Sequence, residues 1–100
     1  MHARIATYQV TSGTATDVVA AARTGMLPIF QESPGFVRYG VVDLGDGTIV
    51  SLSLWESHAA AERAVSDAAA FVREQLAERI TLRSNAVGDL AFFETVRSSL

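Results

Sequence analysis

The segment 48–55 reads T-I-V-S-L-S-L-W, and neither of its two alternating rows is solvent-like. Val50, Leu52 and Leu54 form one row; Ile49, Ser51, Ser53 and Trp55 form the other. A single sheet that is apolar on both faces needs two covers. Helices of the same chain can supply one. A second copy of the chain is the simplest source of the other, packed sheet to sheet about a two-fold axis. Gly45-Asp46-Gly47 stands just before this strand, and Asp-Gly is a strong hairpin signal. Residues 36–44 (F-V-R-Y-G-V-V-D-L) are therefore the preceding strand.

The other elements follow from local pattern. Residues 4–10 are β-branched and aromatic and end at Thr11-Ser12-Gly13, which makes them the first strand. Thr14 with Asp17 resembles a capping box. The helical spacing beyond it predicts a helix over 15–33, kinked or tightened near Pro28 and stopped by Ser33-Pro34-Gly35. Ser57 caps a second helix with the stripe Ala61, Val65, Ala68, Val72, Leu76 and Ile80. Ser66-Asp67 could restart it, so 57–82 is one helix or two. Residues 87–96 read as the last strand. The order β-α-β-β-α-β is the ferredoxin-like split motif, an α+β fold with an antiparallel sheet and helices on one face.

Composition removes several function classes. At 100 residues and 49% hydrophobic, the chain supports one core and one domain, spanning 1–100. It has no Cys, so disulfides and thiolate chemistry are excluded. All eight basic residues are Arg, against 11 acids, for a net charge of −3. No arginine stripe exists to bind nucleic acid. Without Lys there is no Schiff base and no P-loop lysine. Only His2 and His58 are present, too few for a histidine metal cage. No apolar run reaches the ~18 residues of a membrane span, and no secretory leader precedes the first strand. The expected setting is cytoplasmic.

The candidate site residues lie on strands and on the second helix. Trp55 either packs in the core or walls a cavity and donates its N–H to a ligand. Ser51 and Ser53 share its row, and buried hydroxyls there must bond backbone, water or ligand. Tyr8 is a polar contact from the first strand. Arg38 depends on hairpin register: a two-residue turn at Asp46-Gly47 puts it on the face of Trp55, and a three-residue turn over 45–47 puts Tyr39 there instead. Arg73 flanks the helical stripe and could stand as a cation at a cavity mouth. No His or Lys is placed to activate a serine. His58, in the first turn of the second helix, reads as a surface residue.

Pro34-Gly35-Phe36, Arg38-Tyr39 and Leu54-Trp55-Glu56-Ser57, in this order of elements, resemble the antibiotic-biosynthesis-monooxygenase-like proteins of the dimeric α+β barrel superfamily. The resemblance spans nearly the whole chain. It implies a homodimer through the sheet face and a ligand cavity between sheet and helices. It also implies chemistry on a small aromatic compound with O₂ and no cofactor. Trp55 falls on the family tryptophan, and Arg73 of Ala70-Phe71-Val72-Arg73-Glu74 on its helix-two arginine with a gap of two. Quinone-forming members carry Asn where this chain has Ser51 and Tyr where it has Ala61. The haem degraders' Asn and His are here Tyr8 and Val65, which leaves haem no axial ligand. The autoinducer-type histidine position is Ala70. Two function classes therefore stand. One is a cofactor-independent monooxygenase using Trp55 and Arg73, with Ser51, Ser53, Tyr8 and Arg38 as substrate contacts. The other is a non-catalytic dimeric binding or scaffold protein on the same fold.

Overall fold

The structure is a computed structural model that describes residues 1–94. Its elements run β1 (His2–Val10), α1 (Ala15–Ala21), α2 (Leu27–Glu32), β2 (Phe36–Asp43), β3 (Thr48–Trp55), α3 (His58–Phe71) and β4 (Ile80–Asp89). The sheet is antiparallel with spatial order β2-β3-β1-β4, the order a split βαββαβ chain produces.

Thr14 caps α1 by accepting the Asp17 N–H at 3.1 Å. Between α1 and α2 the chain widens into a π turn over Ala22–Met26, where the Leu27 N–H reaches back to the Ala22 carbonyl. Pro28 has no N–H to donate, so the ladder must change register just before it. Thr24 Oγ1 donates to the Ala20 carbonyl at 3.0 Å. The distortion expected near Pro28 is thus a widening rather than a tightening. Ser57 caps α3 through the Ala60 N–H at 3.1 Å, and the helix runs unbroken through Ser66-Asp67. A second π turn, Val72–Leu76, follows directly. The two helical arms cover one face of the sheet. Ala60, Ala61, Ala64 and Ala68 are the buried residues of α3, small enough to bring it close to β3 and β1.

The second arm ends at Leu76, not at 82, and the last strand is Ile80–Asp89, not 87–96. Ile80 continues the helical stripe numerically, yet it is buried from β4. As an edge strand, β4 is mostly exposed and polar, so it carries little periodic signal. The apolar Leu90, Phe92 and Phe93 beyond it are not in a strand, and positions 95 and 96 lie outside the described residues.

The hairpin turn settles the register. Leu44 N–H donates to the Thr48 carbonyl at 3.0 Å, which makes Gly45-Asp46-Gly47 a three-residue turn. Gly45 and Gly47 both have positive φ, 86° and 85°. Asp43 and Asp46 carboxylates accept the Gly45 and Thr48 N–H groups, each at 2.9 Å. The Thr48 hydroxyl and then its N–H hold the Asp46 carboxyl below its ordinary pKa. Tyr39 therefore pairs with Ser53 on the helix-covered face, and Arg38 pairs with Leu54 on the other. A bulge at Phe36/Arg38 lets Phe36 stay beside Trp55.

The inner face carries Arg4, Ala6 and Tyr8 from β1, Ile49, Ser51, Ser53 and Trp55 from β3, and Tyr39 and Val41 from β2. Apolar residues gather at its two ends. Trp55, Phe30, Met26 and the α3 alanines form one cluster; Tyr8, Val18, Ile49, Leu76 and Ile80 form the other. The outer face presents Ile5, Val42, Val50 and Leu52 with no helix over it. Ile5 and Val42 are 48% and 51% exposed. Among the described residues no helix is long and apolar enough to cross a membrane.

Candidate functional site

Three polar residues are buried on the inner face: Arg4, Ser51 and Ser53. They arise from period two, because Arg4 opposes Ser53 and Ala6 opposes Ser51 across the central strand pair. Ser53 is committed within the core. It accepts the Trp55 Nε1–H at 2.8 Å, and neither residue has any exposed surface. Phe30 and Phe36 pack their rings 5.2 and 5.4 Å from Trp55. Trp55 is thus a buried core residue whose N–H is already used by Ser53, and it is not among the residues that line the void between sheet and arms. Ser53 is not among them either.

Ser51 has a different setting. It lines a void of about 40 Å³ between sheet and arms, together with Arg4, Tyr8 and Tyr39. The remaining wall is apolar, with Val18, Met26, Phe71 and Leu76 among its members. This volume holds little more than a water or two. Among the described residues no His, Asp or Glu lines it.

The polar residues of the lining are linked to one another. Arg4 Nη2 donates to the Tyr8 hydroxyl at 3.1 Å, and Arg4 Nε donates to Asn85 Oδ1 at 2.8 Å. Burial raises the Tyr39 pKa above its ordinary 10.0, partly offset by a hydrogen bond from Ser51 and the nearby Arg4 charge. Tyr39 is therefore a neutral O–H at any physiological pH. Arg4 is only 3% exposed, and among the described residues no carboxylate lies within ion-pair distance of it. A buried guanidinium bonded to neutral partners alone is an electrostatic liability that an anion would relieve.

Phe71 forms a shared part of the wall. It lines both the void and an outer groove between the two arms. Its ring fills the notch left by Gly25 in the first π turn: a Cβ at Gly25 would stand 2.5 Å from the ring. Gly25 lies within the first π turn, and Phe71 immediately precedes the second.

The remaining sequence candidates separate. Tyr8 lines the void. Arg73 is exposed and lies at a groove between the second arm and β4 whose lining also includes Arg4 and Tyr8. Arg38 is on the outer face, because the three-residue turn fixed the register against it; it cannot contact a ligand in the void. Arg4 was legible as a neighbour of Tyr8 at period two, but a basic residue near the chain start reads first as surface. Phe71 gave no sequence signal beyond its helical position. His58 is not isolated: its Nε2 lies 3.3 Å from Glu62, and its ring meets His2 at 5.4 Å. Among the described residues no group of three or more His, Asp or Glu is placed to hold a metal.

The family model for antibiotic biosynthesis monooxygenase matches residues 1–70, which includes β1 to β3 and most of α3. The chain belongs to that family. No curated protein matches this antibiotic biosynthesis monooxygenase homologue at a significant level. Solved structures share its fold. SnoaB, a cofactor-independent oxygenase from Streptomyces nogalater, is 20% identical over 99% of this chain and 95% of its own, with a TM-score of 0.65. The monooxygenase from the gene ActVA-Orf6 of Streptomyces coelicolor, solved with nanaomycin D, is 23% identical over 94% and 92%, also at 0.65. A Nitrosomonas europaea protein of unknown function, NE2512, is 14% identical over 97% and 95%, with a TM-score of 0.75. Family membership and these neighbours support a monooxygenase-like or small-ligand-binding role for this family member.

Proposed function

We propose that this chain binds a small electron-rich aromatic compound beside the polar group Arg4, Tyr8, Tyr39 and Ser51 in the space between sheet and helical arms, and oxygenates it without a cofactor. The observation that carries the reading is that Arg4, Tyr8, Tyr39 and Ser51 all line one otherwise apolar void. The relatives named as oxygenases make the chemistry apt for this fold.

The reaction class is conversion of an activated methylene flanked by aromatic rings to a carbonyl. The substrate loses a proton to give a carbanion-like anion, which transfers electrons to O₂. One oxygen atom becomes the carbonyl, and the other leaves as water with the two hydrogens of the methylene carbon. The protein's part is to stabilise the anion with the Arg4 guanidinium, orient it with the Tyr39 and Tyr8 hydroxyls, and exclude water with the apolar wall. Movement of the Phe71 ring toward the outer groove makes the room that the small void lacks. The uncovered outer sheet face, with Ile5 and Val42 exposed, supports a homodimer formed through that face.

One observation favours a second reading, a binding protein with no turnover: among the described residues no imidazole or carboxylate lines the void to take the proton. An oxygen electrode separates the two. With an anthrone as probe, the oxygenase reading expects O₂ uptake matched by quinone formation, lost in Arg4→Met and reduced in Tyr39→Phe. Saturable binding with no uptake selects the second reading. Neither binding nor uptake overturns both.

A further inference from the structure

A groove of about 410 Å³ lies between the second arm and β4, and Arg4, Tyr8 and Val72 line both this groove and the small void. Its volume is that of a small-molecule site. Val65, Val72 and Leu82 give it apolar walls, and Arg73 stands beside them.

Its charge runs against that of the chain. The protein carries 11 acids and eight arginines, yet among the described residues two arginines and no acid line this groove. Arg4 has five N–H donors, of which the bonds to Asn85 and Tyr8 use two. Its Nη1 makes no protein hydrogen bond among the described residues. Arg4 is thus held by β4 and β1, and among the described residues no carboxylate answers its charge.

We propose that this groove binds a planar aromatic anion. The oxyanion sits on Arg4 and the Tyr8 hydroxyl, the ring lies between Val72 and Leu82, and Arg73 draws the anion in. This names the substrate class for the reading above and rests on it: the compound arrives already carrying a carboxylate or an acidic phenolate. The guanidinium–oxyanion contact is the anchor, since charge-assisted hydrogen bonds in a partly dry site are the strong ones.

Calorimetric titration of the full chain with naphthalene-2-carboxylate and its neutral isostere naphthalene-2-carboxamide tests it. The carboxylate binds saturably, about tenfold or more tighter than the amide, and loses affinity as salt rises. Arg4→Met loses that preference while keeping or raising the melting temperature, because it removes an uncompensated buried charge. Should Arg4→Met fail to fold, Arg73→Glu at the exposed rim serves: it reverses the charge that draws the anion in, weakens the carboxylate and spares the amide. Equal affinity for the two probes, no binding of either, or carboxylate binding unchanged in the variants overturns the proposal. Neither probe is oxygenated, so a lack of O₂ uptake with the anthrone leaves this result standing. Conversely, uptake with a neutral phenol and no binding of the carboxylate removes this inference alone.

Discussion

Trp55 donates its indole N–H to Ser53 Oγ at 2.8 Å, two residues back along one strand, and both side chains are fully buried. This pair satisfies the one polar atom of the largest side chain in the core. Ser53→Ala leaves that N–H buried without a partner and costs about 1–3 kcal/mol. Urea unfolding followed by Trp55 emission reads the loss. The native emission is blue and resists acrylamide. Ligand affinity changes little, because the pair does not line the void.

Tyr39 makes stability fall at alkaline pH. Its folded-state pKa lies above 10.0, chiefly because burial disfavours the phenolate. Its contribution is complete below pH ~10, where the unfolded chain is also protonated. As pH rises past that value the unfolded state ionises first, and the contribution is lost up to the folded pKa. Unfolding free energies measured between neutral pH and about pH 11 decline more steeply for the wild type than for Tyr39→Phe. Parallel curves would show that Tyr39 is not held neutral by burial.

The Gly25–Phe71 contact predicts a change of sign in a double-mutant cycle. A methyl at Gly25 meets the Phe71 ring at 2.5 Å, so Gly25→Ala alone destabilises by ~1–3 kcal/mol. In a Phe71→Ala background the obstruction is gone. The same substitution then stabilises by up to about 1 kcal/mol through helix propensity. Phe71→Ala itself costs ~2 kcal/mol for a half-buried ring and speeds ligand entry. Denaturation of the four proteins and stopped-flow binding check both parts.

The outer sheet face predicts dimer loss on charge insertion. Ile5 is 48% exposed in the middle of β1, on the face without helices. Sedimentation equilibrium finds a dimer for the wild type and a shift to monomer for Ile5→Lys. A monomeric wild type would remove the dimer from this account.

The fold was largely readable where physics is local. Thr14 and Ser57 caps, the Ser33-Pro34-Gly35 stop and the bounds of β3 all follow from neighbours a few residues apart. The strand Ile80–Asp89 was not readable, because an exposed edge strand is fixed by its ladder to β1 rather than by its own pattern. Leu90, Phe92 and Phe93 drew the assignment towards themselves by hydrophobicity alone. For the site, Tyr8 and Ser51 follow from period two. Arg38 and Tyr39 exchanged places through a single extra residue in the hairpin turn. Trp55 and Ser53 consumed each other's hydrogen-bonding capacity, which only the packed structure reveals. Arg4 stood out only once the missing counter-charge could be seen.

The most direct test is a side-chain NMR titration. Protein labelled with ¹⁵N-arginine and ¹⁵N-tryptophan is titrated with 1-naphthol, and Arg4→Met assigns the Arg4 Nε–H resonance. The account predicts that this resonance shifts saturably while the Trp55 indole N–H stays where it is. A moving indole signal with Arg4 silent would contradict it, and would return the ligand site to the tryptophan.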